Sequence, residues 1–368
     1  MKKILFISTV DFSKNGITTF IMNNASQMSR DNIKVGIVSP NKIDLETRKI
    51  LNENKISIYE LPYRKNNPFK YLFNLIKVIK TNKYNLIHVN GNSNTMVIEL
   101  MAAKIAGCSC RVSHVHNTKT DHDVLNVFLR PVFNYCVTER LACSYEAGKW
   151  LYKNKKYNVI NNGININQYS PSTNSRVLIR KKYNLGKNDI LIGNVGGFNF
   201  QKNQLFSLRI LKSLSKEYKL ILIGEGENFK NIKNKIREME LSSRVILTGN
   251  VNNVSDYLSA IDIFIMPSRF EGLPFSLVEA QASGLPCIVS DKISRASNLT
   301  GKVIYLPITD VKIWKKKIEK EDIPDFNKRE QIALSNFNSI RKKGYDAKSN
   351  SIKLEKIFSN LILNKEFK

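Results

Sequence analysis

Short runs of β-branched and large apolar residues recur along this chain at intervals too long for a hairpin, and the segments between them carry helical periodicity. In the first part the runs fall at 3–10, 35–38, 86–89, 112–114, 141–144 and 159–161. After Tyr183 they fall at 190–195, 220–223, 245–248, 263–266, 287–290 and 303–306. Parallel neighbours need a crossover connection, so strands alternating with helices imply parallel sheets covered on both faces. The pattern occurs twice, and 368 residues suit two domains at roughly 150 residues each. The expected fold class is α/β, with two doubly wound Rossmann-like domains.

The stretch NNGININQYSPSTNSR at 161–176 is polar, carries Gly163 and Pro171, and has no long apolar period. It reads as the linker, giving an N-terminal domain over 1–168 and a C-terminal one over 169–345. In the remainder, 346–368, the segment SIKLEKIFSNLIL places Ile352, Leu354, Ile357, Phe358 and Leu361 at helical spacing. Such a helix needs a surface to cover, and the expectation is that it packs back on the first domain. Ligands of doubly wound sheets bind beyond the carboxyl ends of the strands. The cleft between two such domains is therefore where chemistry is sought.

Composition narrows the classes further. With 42% hydrophobic and 24% charged residues the chain is neither disordered nor fibrous. The apolar runs fall well short of the roughly 20 residues a spanning helix requires. The opening MKKILFISTV imitates a secretory signal, but its apolar stretch ends at Asp11 without a small-residue cleavage site. It reads as a first strand, and a cytoplasmic location is expected. Cys108, Cys110, Cys136, Cys143 and Cys287 are odd in number and suit reduced thiols. Cys108 and Cys110 lack a second pair, which argues against zinc.

Fifty-eight basic residues against 31 acidic ones leave +27, which attracts nucleic acid, anionic lipid or phosphorylated substrates without choosing among them. Nucleic-acid binding also needs stacking aromatics or a reading helix, and neither occurs as a motif. Between Tyr63 and Lys83, Tyr71, Leu72, Leu75, Ile76 and Ile79 share a helical face, with Arg64, Lys65, Lys70, Lys77, Lys80 and Lys83 around it. This is a packed surface helix, or one that also rests on an anionic membrane surface.

The strongest motif is PSRFEGLPFSLVEAQASGLPCIVSD at 267–291. A strand ends at Met266, a loop carries Glu271, Gly272 and Pro274, and a helix is expected from about Ser276, with Glu279 in its first turn. Open N–H groups and the helix dipole make such a terminus a phosphate site. A carboxylate one turn inside can accept hydrogen bonds from a vicinal diol, and Glu271 would face the next ligand moiety outward. By spacing alone, both acids could simply favour a helix start.

Glu271 and Glu279 form a Glu-x7-Glu pair in a segment that closely resembles the donor-site signature of family-four retaining glycosyltransferases of the GT-B fold. The match is nearest to those of capsular and exopolysaccharide assembly, and the resemblance runs over nearly the whole chain. It implies that Glu279 holds the ribose of a nucleotide sugar and Glu271 contacts the donor sugar. The amides of Phe275, Ser276 and Leu277 would meet the diphosphate.

In GNVGGFNFQKNQ at 193–204 a strand runs into a glycine loop containing Gly196, and Lys202 can neutralise a diphosphate as charge develops on it. It resembles the family's phosphate loop, except that Gly197 stands where an arginine is usual. One expected cation is thereby lost. GEG at 224–226 and SSRVILTGNV at 242–251 follow further strands. By the resemblance, Glu225 and Gly226 lie near the donor, and the backbone around Arg244 and Val245 meets the base.

In the first half, DFSKNGITTFIMNNA at 11–25 puts Gly16 before a helix expected near Thr18, a second anion-binding turn. It lacks the rest of the dinucleotide fingerprint. In the family this loop approaches the diphosphate and acceptor, and here Asn15 stands where a second glycine is frequent.

His114 and His116 share one strand face, with Asp121, His122 and Asp123 nearby, which raises a metal site. No fourth ligand position is specified, and none is expected. The resemblance makes His116 the residue that contacts the transferred sugar; His88, inside its strand, packs or lines the cleft.

The function implied is a retaining, metal-independent glycosyltransferase with His116, Glu271 and Lys202 at the reacting centre. A nucleotide sugar, UDP-linked by expectation, serves as donor substrate, with no further cofactor. The acceptor is a glycan, lipid-linked by expectation, at the inner face of the plasma membrane. The alternatives are a GT-B sugar epimerase or phosphorylase, or a non-enzymatic nucleic-acid- or glycan-binding protein.

Overall fold

The computed structural model describes residues 1–13, 15–28, 32–62, 64, 66–120 and 123–366. It forms two compact units, Met1–Gly163 with Gly344–Lys368, and Ile164–Lys343. Ile164–Gln168, expected in the first domain, belong to the second. Ile164 and Ile166 are buried, and Tyr169, at the end of the 3-10 helix Ile166–Tyr169, packs against the core of the second unit that contains Val195, Leu258 and Leu277. The expected linker is thus largely structured, and the helix Thr173–Lys182 begins inside it.

The first unit is built on seven parallel strands: β1 Lys2–Ser8, β2 Ile33–Ser39, β3 Ser57–Glu60, β4 Leu86–Gly91, β5 Cys110–Val115, β6 Glu139–Ala142 and β7 Asn158–Val159, in the order β3-β2-β1-β4-β5-β6-β7. Strands covered on both faces read as continuous apolar runs, and Ile4 to Ser8 are all buried. Alternation sends Leu5 and Ile7 into one core with Leu75, Leu100 and Phe133, and Ile4 and Phe6 into the other with Phe20, Leu354 and Phe358. β3, an edge strand nowhere fully buried, escapes sequence reading because Ser57 and Glu60 leave it only two apolar residues, too short a run to mark a strand.

The terminal helix Ala347–Glu366 belongs to this unit. Leu354, Phe358 and Ile362, four residues apart, enter the core beside Phe6 and Phe20. Ile352, expected on the same face, is exposed because it lies about 200° around the helix from Leu354. Lys353 Nζ donates to Val159 O at 2.9 Å and Asn350 Nδ2 to Asn161 O at 2.8 Å, which ties this helix to the end of the sheet.

The second unit has six parallel strands: β8 Ile190–Val195, β9 Tyr218–Ile223, β10 Val245–Leu247, β11 Ile263–Met266, β12 Cys287–Ser290 and β13 Ile304–Leu306. Their order is β10-β9-β8-β11-β12-β13. In each sheet the order reverses once, between β1 and β4 and between β8 and β11. At such a switch point the crossovers leave in opposite directions, and a crevice opens beyond the strand ends. No helix among the described residues is long and apolar enough to cross a membrane.

Candidate functional site

The loop after β8 lies at the switch point of the second unit and is fastened to the loop after β9. Gly196 N–H donates to Ile223 O at 2.9 Å, Phe198 N–H to Glu225 O at 2.9 Å and Asn228 N–H to Phe198 O at 2.9 Å. The approach is so close that a Cβ on Gly224 (φ +132°) would stand 2.3 Å from Gly196 O, and one on Gly226 (φ +157°) 2.5 Å from Phe198 O. Only glycine fits at both positions. Lys202 takes an amide hydrogen bond to Asn199 Oδ1 at 3.0 Å and lays its side chain across Gly196. Its Nζ lies 2.7 Å from Glu271 Oε1, in a pair only 15% and 10% exposed.

The loop after β11 is stitched to the same place. Arg269 N–H donates to Gln201 O at 2.8 Å, Gln201 Nε2 to Phe270 O at 3.0 Å and Asn203 Nδ2 to Pro267 O at 3.1 Å. Glu271 O accepts from Ser294 N–H at 3.0 Å. The helix Phe275–Ala282 follows Pro274, with no side-chain cap. Leu277 N–H, expected to meet phosphate, is instead bonded to Pro274 O at 3.1 Å. Phe275 and Ser276 N–H have no helical acceptor, which is the state that binds anions.

Because this helix starts at Phe275, Glu279 lies in its second turn, one turn later than expected. Helical side chains lean toward the N-terminus, which brings the carboxylate back to the loop. Its Oε1 accepts from Tyr169 Oη at 2.9 Å. Burial pushes the Glu279 carboxyl up to about 7, although the Tyr169 hydrogen bond and the Lys202 charge both act downward. Burial, with Glu279 alongside, holds Tyr169 protonated. Lys202 thus pairs with Glu271 and acts on Glu279 through its charge alone. Tyr169 was missed from sequence, since it sits in what reads as a polar linker and no motif marks it.

Glu225 is exposed beside these groups, and its Oε2 accepts from Asn250 Nδ2 at 3.2 Å. Arg244 and Val245 are elsewhere, at the amino end of β10. The Arg244 guanidinium caps Leu211, Leu214, Ser215 and Tyr218 carbonyls, and its own carbonyl accepts from Leu220 N–H. Residues at the carboxyl end of that strand, Thr248 and Gly249, are nearer the cluster: Gly249 O accepts from Gly224 N–H at 2.9 Å.

In the first unit the helix Gly16–Met28 begins two residues earlier than expected. Asn15 Oδ1 accepts from Thr18 N–H at 3.0 Å, so the residue at the family's second-glycine position is an N-cap. One turn along, the Phe20 ring meets His116 edge-on at 4.9 Å.

His116 Nε2 lies 3.0 Å from Asn90 Oδ1, and Nδ1 3.1 Å from the Asn162 side-chain amide. Asn90 Nδ2 is committed to His88 O at 3.0 Å. Asn90 Oδ1 is therefore the acceptor that faces Nε2 and Asn162 Oδ1 the acceptor that faces Nδ1, so a ring with one proton donates to one of the two. Burial pushes His116 down to about 4, consistent with this neutral ring.

His114 and His116 stack at 4.3 Å, and His114 and His88 at 5.3 Å. His88 and His114 are fully buried, 3.2 Å apart between ring nitrogens. This stack is packing material. Among the described residues no group of three His, Cys, Asp or Glu could hold a metal ion; Asp121 and His122, like Tyr63 and Lys65, lie outside the described residues.

The structure therefore gathers Gly196, Lys202, Gly226, Glu271, Phe275, Ser276 and Glu279 at one switch point, and Gly16 and His116 at the carboxyl end of the other sheet. The family model for Glycosyl transferases group 1 matches residues 175–302, and that for Glycosyl transferase 4-like matches residues 3–139. The chain is 29% identical over 368 residues to the putative glycosyltransferase EpsF of Bacillus subtilis, covering 95% of this chain and 94% of the relative. It is 32% identical over 239 residues to the UDP-Gal:alpha-D-GlcNAc-diphosphoundecaprenol alpha-1,3-galactosyltransferase of Escherichia coli, covering 60% of this chain and 62% of that one. Among solved structures, HepE of Anabaena in complex with UDP-glucose superposes with a TM-score of 0.77 at 18% identity, over 98% of this chain and all of that one.

Proposed function

The chain belongs to the group 1 glycosyl transferases of the GT-B fold, and on that premise we propose that it transfers a sugar from a nucleoside diphosphate to a lipid-linked glycan, with retention at the anomeric carbon. The observation that carries the reading is the Lys202–Glu271 pair at the β8/β11 switch point, with the uncapped start of the helix Phe275–Ala282 following Glu271 in the same loop.

A diphosphate entering this place attracts Lys202 and repels Glu271, so Lys202 exchanges its partner carboxylate for phosphate and Glu271 turns to the sugar hydroxyls. Phe275 and Ser276 N–H groups complete the anion site. Ionised Glu279 accepts both hydroxyls of the ribose. In the transfer, the anomeric C–O bond to the diphosphate breaks, the acceptor hydroxyl attacks the same face, and its proton passes to the departing phosphate oxygen. No protein nucleophile is needed. Lys202 and the helix amides carry the charge that develops, so transfer proceeds without added divalent cation. His116, neutral and met at both ring nitrogens by Asn90 and Asn162, exchanges one of these contacts for a hydroxyl of the transferred sugar and does not serve as an acid.

The lipid-linked acceptor is supported by the relative whose name specifies a diphosphoundecaprenol substrate. A thermal-shift screen with UDP-, GDP- and other nucleotide sugars tests the donor site, because a ligand bound only to the native fold raises its stability. One nucleotide should raise the melting temperature, and Lys202→Ala should erase the shift. A screen in which no nucleotide stabilises the chain would end the proposal.

A further inference from the structure

Gln281, the penultimate residue of the helix Phe275–Ala282, is only 1% exposed, and both ends of its side-chain amide are engaged. Nε2 donates to Ser297 O at 2.9 Å and to Leu277 O at 3.1 Å. Oε1 accepts from Leu299 N–H at 2.9 Å and from Thr300 N–H and Oγ1, each at 3.2 Å. Exchanging the two ends of the amide would set N–H against N–H, so these partners fix its orientation. Main-chain bonds already close this helix end, with Ser283 N–H donating to Glu279 O at 2.9 Å and Gly284 N–H to Gln281 O at 3.1 Å. Ending the helix therefore does not call for a buried amide, which is costly to desolvate unless its bonds are made. What the amide adds is a tie to residues 297–300.

That segment reaches the other end of the donor loop. Ser297 N–H and Oγ both donate to Ser294 O, at 3.0 and 2.6 Å, across the 3-10 turn Arg295–Ser297. Ser294 N–H donates to Glu271 O at 3.0 Å, and Glu271 and Ile293 form an isolated parallel β-bridge. Ser294–Thr300 is thus fastened to Glu271 at one end and to Gln281 at the other. Glu271, the open Phe275 and Ser276 N–H groups and Glu279 all lie between those two ties.

We propose that Gln281 is a positioning residue for Glu271. Through Ser294–Thr300 it fixes the Glu271 main chain against the helix, so the carboxylate turns from Lys202 to the sugar about a stationary backbone. Polar networks with every member satisfied stiffen the structure around them, and a small misplacement of a reacting group costs rate heavily. The role rests on the sugar contact proposed for Glu271, whereas the brace exists without it.

Gln281→Met keeps the length of the side chain and removes its hydrogen bonds. Hydrogen exchange, which needs no ligand, should then quicken in peptides covering 267–274 and 293–300 and keep the wild-type rate in the sheet. With the nucleotide sugar that stabilises the wild type in the thermal-shift screen, kcat should fall roughly 10–100-fold. Affinity for the matching nucleoside diphosphate, held by Lys202, Glu279 and the helix amides, should stay near the wild-type value. In a Glu271→Gln background the same substitution should lower kcat little further, because it acts through Glu271. Ser297→Ala, which cuts the brace at its middle, should give the same pattern to a lesser degree, and it carries the test if Gln281→Met does not fold. Asn336, in the helix Phe326–Lys342, donates from Nδ2 to Gln281 O at 2.7 Å. Asn336→Leu should therefore lower the melting temperature while leaving kcat unchanged.

Unchanged exchange at 267–274 would remove the brace. Quickened exchange with unchanged kcat, an equal loss of nucleotide affinity, or the full loss of kcat repeated in the Glu271→Gln background would remove the positioning role. So would a comparable loss of kcat in Asn336→Leu, which would make helix stability the cause. A wild type that binds no nucleotide sugar would overturn the donor site, and this role with it, while the exchange result would still stand.

Discussion

Replacing Glu271 by Gln separates binding from turnover. In the free protein Lys202 Nζ and Glu271 Oε1 are 2.7 Å apart, and opposite unit charges at that separation attract by about 6 kcal/mol at an effective dielectric constant of about 20. Desolvation of two groups this little exposed offsets most of it, which leaves a net attraction on the order of 1–2 kcal/mol for an entering diphosphate to overcome. Glutamine is nearly isosteric and removes both this competition and the repulsion between carboxylate and phosphate. Nucleoside diphosphate should therefore bind roughly 5–30-fold more tightly to Glu271→Gln. The charged hydrogen bond to the sugar is lost at the same time, so sugar transfer should fall roughly 10–100-fold. Titration calorimetry with the nucleoside diphosphate and turnover of the nucleotide sugar give the two numbers. Unchanged or weaker nucleotide affinity would refute the partner exchange, and unchanged turnover would refute the sugar contact.

Glu279 and the histidine stack give opposite responses to pH. The Glu279 carboxyl is raised to about 7 in the fold, so its contribution to stability is full below about 4.5 and is lost as pH rises through 7. Glu279→Gln should thus be more stable than wild type at pH 8, by about 1–3 kcal/mol, and show no such advantage at pH 5 in thermal melts. Nucleotide affinity should climb through pH 7 in the wild type and stay flat in Glu279→Gln. Tyr169→Phe, which removes a donor to the ionised carboxylate, should push that climb to higher pH. His116, at about 4, and the buried His88 and His114 are all lowered; their contribution is full above about 6.5 and is lost as pH falls, through about 4 for His116. A melt resolved by unit should show Met1–Gly163 weakening in acid. At Gly197 a Cβ would meet nothing closer than Glu225 O at 3.6 Å, so Gly197→Arg should fold normally and tighten diphosphate binding several-fold by calorimetry. Gly226→Ala, 2.5 Å from Phe198 O, should lower the melting temperature sharply.

Much of this protein was readable before any coordinates. Twelve of the strands announced themselves as apolar runs, the interior ones because parallel strands covered on both faces must be apolar throughout; the edge strands β10 and β13 keep such runs as Val-Ile-Leu and Ile-Tyr-Leu, whereas β3 was silent because Ser57 and Glu60 leave it only two apolar residues. The Glu271/Glu279 segment carried the family resemblance because a loop that admits phosphate to a helix terminus tolerates few sequences. Tertiary structure alone decided the rest. Tyr169 reaches Glu279 across 110 positions, and no local pattern encodes a hydrogen bond made by folding a linker back on its sheet. Arg244 was assigned to the base because sequence shows that a strand is near but not which of its ends a residue occupies. Gln281 shows the limit most plainly. The sequence records a polar residue two positions after Glu279, but whether it meets solvent or is buried against residues 297–300 depends on how the chain after β12 folds back on the helix.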